Sequence, residues 1–261
     1  MNDSIKQGFV LVTDTKYMEL TKVAIDSILY FTDKDVDLFT LNFDYNYGND
    51  RVRTSRMNLD LNPDRSSHPT NRSAGAGFFG ATKWRAMIDT RFEEAVYVDV
   101  DVVVAPDVNN LFDSMNLIDT VPLVGLAHPH TKGHALSLNY PQALMDALDI
   151  SKKTQPYVHT ASWLSTRECE QYYIDCMDAY NRCIDAGITW SHGDEPIMNG
   201  MLWKYGKTDS FLPNYTPIWK YLLGTHGPAA ESVEWKYIFH GGKNVKESRD
   251  MLNMLINKYK K

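Results

Sequence analysis

Gly8-Phe9-Val10-Leu11-Val12-Thr13-Asp14 is an almost wholly apolar run that ends in a carboxylate. Behind it, from Tyr17 to Phe31, the apolar residues Leu20, Val23, Ala24, Ile28 and Phe31 recur at helical spacing. A second apolar run follows from Val36 to Phe43. Strand, helix and strand with short connections make a βαβ unit. Strands that are apolar on both faces imply a mostly parallel sheet covered by helices, an α/β protein.

Further along, Glu94-Ala95-Val96-Tyr97-Val98-Asp99-Val100-Asp101-Val102-Val103-Val104 reads as another buried strand, now interrupted by two carboxylates. In a continuous strand Asp99 and Asp101 project from one face, and Val98, Val100 and Val102 fill the other. Two ionised carboxylates roughly 6–7 Å apart among apolar side chains repel each other and are poorly solvated. A hard divalent cation relieves both problems, so the pair is the candidate metal site.

The other elements extend the same alternation. A helix is predicted over 81–89, strands over 121–127, 157–164 and 237–240, and helices over 141–150, 167–186 and 245–259, with one more after Asp194. Between 44 and 80 the pattern dissolves into Asn, Asp, Arg, Ser and Gly, a long irregular stretch of the kind that carries function. The 261 residues suffice for one sizeable core, and no linker divides them, so a single domain with two lobes is expected.

A net charge of −6 gives no general attraction to nucleic acid, although Arg51, Arg53, Arg56, Arg65, Arg72 and Arg85 leave room for a local basic groove. The first residues lack a signal-peptide core and no apolar run approaches a membrane span, which points to the cytoplasm. Cys169, Cys176 and Cys183 are spaced by seven along one helix, so their sulfurs lie about 10 Å apart and read as buried thiols. The last helix carries Leu252, Leu255 and Ile256 on one side and lysines at its end. It reads as packed on the core, with at most peripheral membrane contact.

Taken in order, Thr13-Asp14-Thr15-Lys16-Tyr17, Lys83-Trp84-Arg85, Asp99-Val100-Asp101, Asp194-Glu195 with Asn199, and His240-Gly241-Gly242-Lys243 resemble the nucleotide-sugar glycosyltransferases of GT-A fold. The likeness is to glycosyltransferase family 8 and, second, to family 6, and it runs over almost the whole chain. It implies a Rossmann-like sheet in which residues 1–106 bind the nucleotide and 107–261 the sugar and acceptor. Thr13, Asp14 and Tyr17 occupy the turn that holds base and ribose. Such a turn suits uridine, since a carboxylate accepts from a base N–H and a tyrosine ring stacks.

Arg85, and less directly Lys83, match the basic position that meets the diphosphate. Asp99, Val100 and Asp101 become the DxD motif, with Asp99, Asp101 and His240 holding manganese or magnesium. Lys243 follows His240 by three, closer than in the family pattern, so Lys246 is an alternative. The segment Gly193-Asp194-Glu195 faces the donor sugar in both families, and Tyr157-Val158-His159-Thr160-Ala161 is similar to a family 6 strand lining the sugar pocket. His159, Trp163 and Asp194 are thereby expected near the sugar. Each acid has a plainer alternative, because Asp14, Asp194 and Glu195 also suit helix N-termini.

The implied reaction is transfer of a sugar from a UDP-linked donor to an unidentified glycan, lipid-linked or protein acceptor, with retention of configuration. Glu195 and Asp194 would be the catalytic acids: the transition state is oxocarbenium-like, and a carboxylate beside the anomeric carbon stabilises it or attacks it. Asp99-Val100-Asp101 also fits the first motif of haloacid dehalogenase-type phosphohydrolases, although there it lies on the first core strand. A sugar-nucleotide binder without turnover is the non-enzymatic alternative.

Overall fold

The computed structural model describes residues 7–58, 77–104, 106, 108–120, 124–127, 142–150, 158–190, 193–205, 238–240 and 245–259. The opening βαβ unit forms as expected: β1 (Gln7–Thr13), α1 (Met18–Phe31) and β2 (Asp35–Leu41), with β1 and β2 parallel and Phe9 opposite Val36. Then come β3 (Val52–Met57), α2 (Gly77–Asp89), β4 (Glu94–Val98), β5 (Val102–Val104) and a 3-10 run (Val108–Thr120). The rest comprises β6 (Val124–Ala127), α3 (Gln142–Leu148), β7 (Val158–Thr166), a 3-10 turn (Arg167–Cys169), α4 (Glu170–Asp185), α5 (Glu195–Lys204), β8 (Ile238–His240) and α6 (Val245–Lys258).

Among the described residues six strands form the main sheet, in the order β3-β2-β1-β4-β7-β6. The first four are mutually parallel, and β7 runs antiparallel to both of its neighbours. The centre of the sheet is apolar on both faces: Phe9 to Val12 and Ala95 to Val98 are all buried. That burial pattern matches a parallel sheet covered by helices.

The irregular reading of 44–80 needs correction at β3. Its sequence Val-Arg-Thr-Ser-Arg-Met is apolar only at its ends, because it is an edge strand with little to bury. Arg51, just before β3, and the two arginines within it each pair inside the chain. Arg51 donates to the carbonyls of Leu29, Thr32 and Lys34 at 3.2, 2.8 and 2.5 Å, capping the end of α1 and the turn beyond it. Arg53 clasps the buried Asp37 through both carboxylate oxygens, at 3.0 and 2.6 Å, and Arg56 pairs with Asp44 at 3.0 Å. Arg65 and Arg72 lie outside the described residues.

A second correction concerns the strand with two aspartates. It is not continuous: β4 ends at Val98, β5 begins at Val102, and the Val102 N–H donates to the Asp99 carbonyl at 3.2 Å, closing a turn. Aspartate is disfavoured inside strands and favoured in turns. The carboxylates therefore break the strand rather than decorate one face of it. β5 then leaves the main sheet and pairs antiparallel with β8, Val102 opposite His240 and Val104 opposite Ile238. Ser27 of α1 fastens the departing strand, its hydroxyl accepting from the Val104 N–H at 3.0 Å.

Trp163 is also not where the sequence suggested. It is fully buried, stacks on Tyr97 with ring centroids 4.2 Å apart and donates to the Tyr173 hydroxyl at 2.9 Å. Side chains alternate along β7, and Trp163 packs into the core beside α4. The three cysteines are buried and unbridged, and burial pushes the Cys183 thiol up to about 11. Helix α6 buries Leu252 and Leu255 and is tied to α1 by Arg249 and Asp26, 2.7 Å apart. Among the described residues no helix is long and apolar enough to cross a membrane.

Candidate active site

The candidate site lies beyond the C-terminal ends of β1 and β4, where parallel α/β sheets characteristically bind ligands. β1 ends in Thr13, whose hydroxyl is 2.7 Å from that of Thr21 on α1. In the turn that follows, Asp14 Oδ1 accepts from the Tyr17 N–H at 2.9 Å. The plainer reading thus holds for one oxygen of Asp14, which shapes the start of α1. Asp14 remains half-buried, with Tyr17 equally so.

Lys83 is the centre of the site. It is only 7% exposed, and its ammonium lies 2.9 Å from Asp99 Oδ1, 3.3 Å from Asp194 Oδ2 and 3.3 Å from the Thr160 carbonyl. The same ammonium sits 5.4 Å from the centroid of the Tyr97 ring. Burial by itself would lower its pKa, yet the attraction of Asp194 and then Asp99 carries it above the ordinary lysine value. Lys83 is therefore firmly an ammonium.

Arg85, the other basic candidate, stands apart from this cluster. Two residues on along α2, it points to solvent and pairs with Asp89 at 2.6 Å. A helix turns about 100° per residue, so Lys83 and Arg85 take different faces. The sequence did carry a signal for the choice: Lys83 precedes Ala86 and Met87 by three and four, and those two are buried.

Asp99 is held twice through one oxygen, since the Tyr97 hydroxyl also donates to its Oδ1, at 3.0 Å. Burial, then the charges of Asp99 and Asp194, raise the Tyr97 pKa well above its ordinary value, so it remains a donor. The Asp99 N–H donates to the Ala161 carbonyl at 2.8 Å, which docks the turn onto β7. Asp101 is half-buried at the other end of the turn. Carboxylate oxygens are the donor type that a hard divalent cation takes, and among the described residues no three His, Cys, Asp or Glu side chains gather to hold one. The ladder between β5 and β8 places the His240 backbone opposite Val102, the residue after Asp101.

Asp194 and Glu195 open α5, each 6% exposed. Asp194 makes no capping hydrogen bond, so the helix-cap reading does not describe it. Its carboxylate turns to Lys83. Burial, opposed by Lys83, holds its pKa above the usual carboxylate range. Glu195 Oε2 accepts from the Thr160 N–H at 3.3 Å. One turn on, Asn199 locks α5 to β7: its Oδ1 accepts from the Val158 N–H at 2.6 Å, and its Nδ2 donates to the Val158 carbonyl at 2.8 Å and to the Glu195 carbonyl at 2.9 Å.

The structure thus brings together Lys83, Asp99, Asp194 and Glu195, with Tyr97 and Thr160 as members that the sequence reading did not single out. Tyr97 and Asp99 stand two apart, the spacing that would put them on one face of the continuous strand read from the sequence, and they do meet although Asp99 lies in the turn. Thr160 offered no such signal. His159 lies on β7, but its side chain and Lys243 fall outside the described residues. Lys246 is exposed and pairs with Asp250 along the outside of α6. Elsewhere, a groove of about 430 Å³ between α4 and α5 is lined by Asp175, Asp178, Arg182, Met201, Lys204 and Tyr205, and none of the candidates lines it.

No protein-family model and no curated protein sequence matches the chain. Solved structures do. The chain is similar to the galactosyltransferase LgtC, crystallised in complex with donor and acceptor sugar analogues, with a TM-score of 0.62 over 96% of this chain and 95% of that one, at 12% sequence identity. A likeness at that identity is one of fold: the chain has the α/β architecture of the GT-A glycosyltransferases, a mostly parallel sheet with helices on its faces.

Proposed function

We propose that this chain is a metal-dependent glycosyltransferase that moves a sugar from a UDP-linked donor to an acceptor hydroxyl with retention of configuration. The observation that carries the reading is the convergence of Asp99, Asp194, Glu195 and Lys83 beyond the C-terminal ends of the parallel strands. The fold in which they converge is that of a galactosyltransferase crystallised with donor and acceptor analogues. In this reading residues 1–106 hold the nucleotide, with Thr13, Asp14 and Tyr17 at the base, and 107–261 supply the sugar and acceptor surface.

Asp99, Asp101 and His240 are the residues that would hold manganese or magnesium, and two carboxylates in one turn are a donor set that fits either ion. When bound, such an ion supplies positive charge toward the departing diphosphate. Lys83 is the protein's own cation in the same place, buried and held by two acids, so its charge is pre-oriented. Asp194 accepts from a hydroxyl of the donor sugar. Glu195, fixed by the Thr160 N–H, puts negative charge where the oxocarbenium-like centre develops. Arg85 has no part in this arrangement.

The test is release of UDP and transfer of sugar from a panel of UDP-hexoses and UDP-pentoses, with and without Mn²⁺. Metal-dependent turnover of one donor supports the reading. Hydrolysis of simple phosphate esters without any action on UDP-sugars would replace it with a phosphohydrolase.

A further inference from the structure

We infer that Tyr97 is a positioning residue of this site, its hydroxyl fixing the Asp99 carboxylate in the orientation that meets the metal and diphosphate of the donor. The functional part rests on the glycosyltransferase reading, and the structural part on the contacts alone. The Tyr97 hydroxyl lies 3.0 Å from Asp99 Oδ1, and the Lys83 ammonium lies 2.9 Å from the same oxygen. An ionised carboxylate only accepts, so both groups donate to it.

The ring that carries this hydroxyl is held on every level. Tyr97 is 1% exposed on β4, directly opposite Trp163 in the ladder with β7, and the two rings stack at 4.2 Å between centroids. Trp163 is fastened in turn, its indole N–H donating to the Tyr173 hydroxyl of α4 at 2.9 Å. A sheet and a helix thus set where the Tyr97 oxygen stands.

Lys83 alone is a poorer anchor. Its ammonium sits on a flexible stem and is shared with Asp194 and with the Thr160 carbonyl, each at 3.3 Å. A carboxylate that follows such a cation shifts with it. The Asp99 backbone is fixed separately, by its N–H on the Ala161 carbonyl at 2.8 Å. What Tyr97 decides is therefore the side chain. Groups that hydrogen-bond a metal-ligating carboxylate from behind are typically worth 10- to 100-fold in metal affinity or activity.

Tyr97→Phe isolates this contact, because it keeps the ring stacked on Trp163 and under the Lys83 ammonium, 5.4 Å from its centroid, and deletes one oxygen. Ligand-free crystal structures of wild type and Tyr97→Phe should show the Asp99 carboxylate displaced in the variant. Calorimetry should show affinity for UDP with Mn²⁺ lowered on the order of 10- to 100-fold, and affinity for UDP without Mn²⁺ unchanged. Tyr173→Phe is the control for a merely structural effect: it takes the acceptor from the buried Trp163 N–H, so the melting temperature falls, while the gain in UDP affinity from Mn²⁺ stays at the wild-type value. An Asp99 unmoved in Tyr97→Phe overturns the inference whether or not the wild type transfers sugar. So does a loss of UDP affinity that is equal with and without Mn²⁺, or one that Tyr173→Phe reproduces. If Asp99 moves as expected while wild type binds UDP no better with Mn²⁺ than without, the positioning role stands and the proposed metal-dependent transfer is the part that fails.

Discussion

Asn199 grips both backbone polar groups of Val158, accepting from the N–H at 2.6 Å and donating to the carbonyl at 2.8 Å, with the whole contact buried. A side-chain amide has one acceptor and two donors, so this is a complete strand-like pairing made by one residue. It fixes the start of α5 against β7 and thereby the placement of Asp194 and Glu195. Asn199→Ala leaves both Val158 groups buried without their partner, which should lower the unfolding free energy by about 2–4 kcal/mol in urea denaturation.

Lys83→Met removes the ammonium that two buried acids share. Taking one partner from a buried charge cluster is far worse than never having had it, on the order of 3–5 kcal/mol. A melting temperature more than about 5 °C below wild type is expected for a chain of this size. A change under 1 °C would show that Asp99 and Asp194 are solvated without Lys83.

The same lysine sets a pH dependence whose sign is definite. Its folded pKa lies above the ordinary 10.5, because Asp194 and Asp99 outweigh burial. The folded chain thus holds this proton more tightly than the unfolded one. The resulting stability is fully present below about pH 10.5 and is lost as pH rises through the folded value. The stability difference between wild type and Lys83→Met, measured by urea midpoint, should stay flat from neutral pH to about 10 and shrink above it.

Asp194 titrates in the opposite functional sense. Burial raises its pKa, so it takes up its proton at a higher pH than an ordinary aspartate. If turnover requires the ionised form, the acid limb of the pH–kcat profile should lie above the usual carboxylate range and disappear in Asp194→Asn, whose residual rate should be flat there.

Asp101→Ala should abolish dependence of UDP binding on Mn²⁺, read by calorimetry as equal affinities with and without the ion. Glu195→Gln should bind UDP as wild type does while losing at least 100-fold in kcat. Wild-type turnover in the glutamine variant would remove Glu195 from the chemistry.

Much of this was legible because it is local. The run 8–43 declares a βαβ unit through period and length alone, the pair Asp99/Asp101 announces itself by standing where apolar residues belong, and Asp194/Glu195 were marked by the family resemblance. What escaped depends on partners distant in sequence. Val52–Met57 is a strand because β2 offers it an edge; Arg53 within it is spent on Asp37, and Arg51 just before it on carbonyls of α1 and the turn after it. The backbone of Thr160 meets Lys83 and Glu195 only when α2, α5 and β7 come together, and no spacing in the chain foretells that.

The ladder that sets His240 opposite Val102 joins residues more than a hundred positions apart. On the ribosome, the four parallel strands and the Asp99–Asp101 turn are all synthesised long before β8 exists to pair with β5. Residues 102–104 therefore lack this edge partner until residues 238–240 have been made.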